Sequence, residues 1–135
     1  MFTDTVPATV TSLTGTGTGK KCITRDQNSE LTCTFGGVPT ASPLWYKGTG
    51  NNKNPITRND LDYVITRPSD TVTVLTIQDV TDGDHGTYGC EASNTVNGST
   101  VTARKETDFI ICSKQIYNYL LIMLCHKFIV CYLNH

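Results

Sequence analysis

Hydrophobic residues in most of this chain recur at every second position. In Glu30–Phe35, Leu31, Cys33 and Phe35 fall on one side and Thr32 and Thr34 on the other. That is the pattern of a strand with one buried face. The same alternation marks 62–66 (DYVIT), 71–78 (TVTVLTIQ), 87–93 (TYGCEAS) and 99–111 (STVTARKETDFII). In 71–78, Val72, Val74 or Leu75, and Ile77 compete for the inner face, so the pattern leaves that register open. Residues 21–24 (KCIT) and 44–47 (LWYK) are shorter strand candidates. Residues 5–14 (TVPATVTSLT) suit a first edge strand, where Pro7 is tolerated because an edge need not donate on both sides.

Polar, turn-forming stretches separate these segments: 36–43 (GGVPTASP), 48–55 (GTGNNKNP), 79–86 (DVTDGDHG) and 94–98 (NTVNG). Short strands at short intervals with turns between them predict an antiparallel sandwich or barrel. The Gly-Thr repeat before Lys20 suits a loop or linker. The expected partition is an N-terminal strand or linker over 1–20, a folded domain over 21–112, and an apolar tail over 113–135.

Composition agrees with the pattern. Thr is abundant in the first 112 residues, together with Gly, Ser, Val and Asn, a composition for strands and turns in which the β-branched residues fit a pleated surface. The formal net charge is -1, with no Lys/Arg cluster, which excludes a nucleic-acid binder. Six cysteines are many for 135 residues. None forms a C-x-x-C pair, and His85, His126 and His135 are scattered, so zinc-ligand spacing is lacking. Disulfide use in an oxidising compartment is the expectation. The N-terminus has no basic start and no apolar core, so it is no secretory signal. Either the chain is a fragment whose signal lies upstream, the favoured reading, or its cysteines are reduced.

The stretch DVTDGDHGTYGCEASN, 79–94, has two readings. Asp84, His85 and Cys90 are the pieces of a catalytic or metal site. They are also the pieces of a corner leading into a buried strand. The ordered set Cys33, Trp45, Leu75-x-Ile77 and Asp84-x-Gly86-x-Tyr88-x-Cys90 resembles an immunoglobulin domain over residues 20–111, most like the I-set of cell-adhesion molecules and receptor ectodomains. The resemblance implies an immunoglobulin-like, two-sheet antiparallel Greek-key sandwich. It implies a Cys33–Cys90 bridge with Trp45 packed against it. It implies that Tyr88 turns its hydroxyl to a nearby backbone carbonyl, with Gly86 freeing the corner and His85 in solvent. The family's first strand runs parallel to its last, so a second bridge, Cys22–Cys112, is compatible with it. Free or differently paired thiols are the alternative. One departure stands out: where many members carry an arginine that pairs with the corner aspartate, this chain has Asp62, leaving Arg58 or Arg67 as substitutes.

Asn97-Gly98-Ser99 is the N-x-[ST] sequon, and Asn-Gly is equally an ordinary hairpin turn. The tail has three readings: a membrane span interrupted by Asn118, His126 and Lys127, a packed helix, or translated non-coding sequence. A membrane contact would run only through this tail, and the pairing of Cys125 and Cys131 stays open. The resemblance implies an extracellular protein-binding module, part of a cell-surface adhesion molecule or receptor, with a protein ligand or homophilic partner. The alternative is a structural spacer in an intracellular filament. No nucleophile–base set or phosphate loop is visible, so no enzyme and no cofactor are expected.

Overall fold

The computed structural model describes residues 4–15 and 22–112. Eight strands appear in chain order: β1 Val6–Gly15, β2 Ser29–Val38, β3 Ser42–Lys47, β4 Asn54–Ile56, β5 Tyr63–Ser69, β6 Val72–Ile77, β7 Gly86–Val96 and β8 Ser99–Phe109. A 3-10 turn, Asp82–Asp84, precedes β7. The first sheet has the order β1-β2-β6-β5 and the second β4-β3-β7-β8. Every ladder is antiparallel. The two sheets enclose a core that includes Leu31, Cys33, Phe35, Trp45, Leu75, Ile77, Tyr88, Cys90 and Phe109. This is an all-β sandwich, and the period-2 alternation produces it directly. Each strand donates its inward set, and the sheets bury those sets against each other.

The structure fixes the register that the pattern left open. On β6, Thr73, Leu75 and Ile77 face inward, while Val72, Val74 and Thr76 are only partly covered. A threonine displaces two valines from the core because its hydroxyl is fully used there. Thr73 Oγ1 accepts from Trp45 Nε1 at 3.0 Å and donates to the Thr66 carbonyl at 3.1 Å. A buried hydroxyl with both bonds made costs little.

Three elements differ from the sequence pattern. β4 lies at the end of the 48–55 loop, and three residues are too few to show periodicity. The 21–24 strand reduces to one parallel bridge, Ile23 to Ile111, in which Ile23 N donates to Ile110 O and Cys112 N to Ile23 O, each at 2.9 Å. The turn expected over 94–98 is tighter. Val96 pairs with Ser99, so only Asn97 and Gly98 form the loop, both with positive φ (51° and 79°). That is the mirror-image turn whose twist matches a hairpin.

β1 belongs to the sandwich, N-terminal to the boundary expected at residue 21. Ala8 and Val10 are buried, and β1 pairs with β2 from Val6–Val38 to Gly15–Leu31. Residues 113–135, with Cys125, Cys131 and the membrane-span reading, lie outside the described residues. Among the described residues, the last sheet strand ends at Phe109, and Ile111 bridges to Ile23 just beyond it. A chain ending at Cys112 is therefore expected to fold alone, unfolding in a single cooperative thermal transition by circular dichroism. A broad, non-cooperative melt would show that the tail completes the core.

Candidate protein-binding face and the corner beside it

The corner forms where the chain rises from the 3-10 turn into β7. Gly86 adopts φ 138°, a conformation that side chains rarely reach, and the chain then enters the core at Tyr88. The Tyr88 hydroxyl donates to the Asp84 carbonyl at 2.9 Å and lies 3.4 Å from the Tyr63 hydroxyl. Its ring meets Phe109 edge-on at 5.5 Å between centroids, and Lys47 Nζ sits 5.4 Å from its own centroid. Lys47 also donates to the Gly83 carbonyl at 2.6 Å, tying β3 to the turn. Burial pushes the Tyr88 hydroxyl far above its ordinary range.

The residues of the chemical reading are each occupied. Asp84 Oδ2 accepts from Thr81 N at 2.7 Å and from Thr81 Oγ1 at 3.2 Å, capping the turn. His85 is exposed, with Nδ1 2.6 Å from the Asp82 carbonyl. Cys90 is bonded to Cys33. No arginine pairs with Asp84 among the described residues. Arg67 lies over the Phe35 ring and donates to the Asp70 carbonyl at 3.2 Å, while Arg25 pairs with the neighbouring Asp82 at 2.7 Å. Among the described residues, no group of three His, Cys, Asp or Glu could hold a metal ion.

Two disulfides are present. Cys33–Cys90 spans the sheets with Cα atoms 6.3 Å apart, and both residues are fully buried. Trp45 is the ladder partner of Cys90 and lies in the same core. Closing so long a loop contributes about 4 kcal/mol in the chain-entropy account. Cys22–Cys112 joins the segment before β2 to the segment that follows β8, with Cα atoms 4.9 Å apart. Cys22 is exposed.

The outward side of the second sheet carries a different arrangement. Since Trp45 faces in, Leu44 and Tyr46 face out, and Gly89, between inward Tyr88 and Cys90, lies on the same outer side. Tyr46 pairs with Gly89 in the ladder, and its ring packs against the glycine, where any Cβ would overlap it. The Tyr46 hydroxyl donates to Glu106 Oε1 on β8 at 2.8 Å, and Lys53 Nζ stands 5.0 Å from the ring centroid. Tyr46 is thereby buried on the outside of the sheet, and its hydroxyl is pushed above the usual range, by burial first and then by Glu106. Beside it, Leu44 is 42% exposed in a row with Glu91 and Arg104, whose Nη2 and Oε1 atoms lie 3.8 Å apart. Ser93 and Thr102 continue the face with hydroxyls 3.1 Å apart. Leu44 therefore ends a row whose next two members carry opposite charges, and no β4 residue pairs beside it.

Sequence reasoning did not find this face. Its signals were the neighbour relation Trp45-Tyr46 and a glycine between two inward residues, since glycine within a strand marks close approach. It also placed Asn94 in a turn. Asn94 is instead a buried β7 residue, accepting from Ala8 N at 2.9 Å and donating to the carbonyls of Val6 (2.8 Å) and Pro39 (3.0 Å). Asn97 is exposed at the hairpin tip.

A family model described as an immunoglobulin domain matches residues 12–94. No curated protein sequence matches the chain. Among solved structures, the Dscam1 Ig7 domain, isoform 5, is 19% identical with a TM-score of 0.60, covering 79% of this chain and 98% of its own. The titin M3 domain is 17% identical with a TM-score of 0.62, covering 80% and 99%. The titin Z1Z2 pair in complex with telethonin is 22% identical with a TM-score of 0.59, covering 81% of this chain and 48% of its own.

Replacing Tyr88 by Phe is expected to lower stability by roughly 0.5–1.5 kcal/mol for the lost hydrogen bond, and by up to about 3 kcal/mol if the Asp84 carbonyl stays unpaired. Coincident urea melts would show that the hydroxyl holds nothing. Alkaline pH tests the same groups. Tyr46 and Tyr88 keep their protons in the folded state above the ordinary phenol value of 10.0. At high pH the folded chain then binds more protons than the unfolded one. Stability is full below about pH 10 and falls as pH rises beyond it. Denaturant midpoints that stay flat across that range would contradict this.

Proposed function

Because the chain belongs to the immunoglobulin domain family, we propose that it is an extracellular protein-binding module, part of a cell-surface adhesion molecule or receptor. The observation that carries this reading is the second disulfide. Cys22–Cys112 has one exposed member, Cys22, and one half-buried, Cys112, in contrast to the fully buried Cys33–Cys90 bridge. An accessible bridge persists in oxidising surroundings and is reduced in a thiol-rich cytosol. The surface for the partner is the outer side of β3, β7 and β8, with Leu44 as its exposed apolar residue. Protein docking has a precedent in this fold, since the titin Z1Z2 pair is seen in complex with telethonin.

The second reading is a structural spacer in an intracellular filament. Its support is that titin domains match this fold as well as the Dscam1 domain does, with TM-scores of 0.62 and 0.60. The likeness separates neither reading from the other, so the thiols decide.

The test is expression of the full chain behind an added secretion leader in eukaryotic cells. The expected product is secreted, and its described cysteines react with no thiol reagent until denatured and reduced. Secretion with Cys22 and Cys112 free would favour the spacer. For the face, beads carrying the full chain are expected to cluster with one another or to bind cell-displayed ectodomains. Leu44→Asp, on an exposed position, should weaken that binding about tenfold or more, the equivalent of about 1.4 kcal/mol. Its melting curve should match the parent's. Undiminished binding would place the contact elsewhere.

A further inference from the structure

We propose that Asn97 carries an N-linked oligosaccharide and that this glycan covers the apolar pole of the sandwich at the start of β1. The proposal rests on the extracellular reading above, because the modification is made in the secretory pathway.

Two independent features meet at this pole. The first is the acceptor. Asn97-Gly98-Ser99 satisfies the sequon, and both Asn97 and Ser99 are exposed. The hairpin holds Asn97 at its tip, in a two-residue loop beyond the last ladder pair, Val96–Ser99. An oligosaccharide attached there displaces no packed side chain. The second feature is an uncovered apolar pair. Val6 and Val38 are ladder partners at the first register position of β1 and β2, and they are 47% and 48% exposed. Pro7 and Pro39 flank them, both exposed. Asn94 joins the two features. Through its bonds to Val6 O, Ala8 N and Pro39 O, it fastens β7 to β1 and to the β2–β3 turn, three positions before Asn97. The hairpin tip and the apolar pair therefore share one pole.

The step is a transfer onto nitrogen. The Asn97 Nδ2 atom bonds to the anomeric carbon of an oligosaccharide donated by a lipid diphosphate. The anomeric carbon–oxygen bond breaks, the lipid diphosphate leaves, and the amide loses one proton. The donor and its membrane transferase belong to the host cell. A glycan over Val6 and Val38 shields apolar surface that would otherwise promote association.

The experiment uses the full chain with an added secretion leader, expressed in eukaryotic cells, in three forms: parent, Ser99→Ala and Asn97→Asp. Both substitutions respect the turn. Ser99 is an exposed strand residue, and Asp tolerates the positive φ of position 97, whereas a longer side chain would strain it. The parent is expected to lose the mass of one oligosaccharide on treatment with peptide-N-glycosidase, with position 97 read as Asp afterwards in a peptide map. Both variants are expected to show no such shift. Their sizing profiles should move toward larger species at high concentration, as should that of the enzyme-treated parent. A chain that is secreted with its described cysteines bonded, yet bears an unmodified Asn97, overturns this proposal and leaves the extracellular reading standing. A chain retained in the cell with free Cys22 and Cys112 overturns both. Loss of the glycan with unchanged sizing profiles overturns the shielding role.

Discussion

Four residues make a closed square at the centre of this domain, and the remaining structure depends on it. Cys33 and Thr73 are ladder partners in the first sheet, and Cys90 and Trp45 are ladder partners in the second. The Cys33–Cys90 bond crosses from sheet to sheet along one side. The Trp45–Thr73 hydrogen bond crosses along the other. Two lateral ladders and two transverse links fix how the sheets are spaced and how they are aligned. A slip of one residue in any of these strands would turn its inward set to solvent and break a transverse link. The polar threonine is therefore part of the core's specification rather than a defect in it.

That constraint also shapes the outside. Once Trp45 and Cys90 are held inward, the pleat sends Tyr46 and Gly89 outward beside each other. Gly89 allows the Tyr46 ring to lie against the backbone, and Glu106 and Lys53 hold it there. On the same outer side Leu44 is exposed beside Glu91. Core and surface are two consequences of the same register. The corner works in the same way, since Tyr88 bonds back to the turn that delivers it.

The sheets were readable in the sequence wherever alternation ran for five or more residues, as in β2 and β7. The disulfide square was half readable: the cysteines, Trp45 and Tyr88 stand in a familiar order, whereas Thr73 is concealed between two valines of greater apolar weight. Its inward position follows from a hydrogen bond to a residue on the other sheet, which no local pattern encodes. Asn94 was concealed for the same reason. Its three partners lie far away along the chain in β1 and the β2–β3 turn, and asparagine alone reads as a turn former. Tyr46 is a third case. An aromatic beside an inward tryptophan faces outward by pleat, but its burial depends on Gly89, Lys53 and Glu106 from three other segments.

The Cys22–Cys112 bridge has a mechanical consequence. It makes residues 22–112 a covalent ring. Tension applied ahead of residue 22 and beyond residue 112 crosses the sulfur bridge, so the backbone from β2 through β8 cannot be drawn out to its full length. Among the described strands β1 alone lies outside the ring, between the pulled end and Cys22. It runs antiparallel along the length of β2, so a lengthwise pull shears its ladder bonds together instead of opening them singly. The domain then yields in one place. Its first strand slides free while the ring stays folded, and reduction of the exposed bridge is what would pass the load on to the last strand.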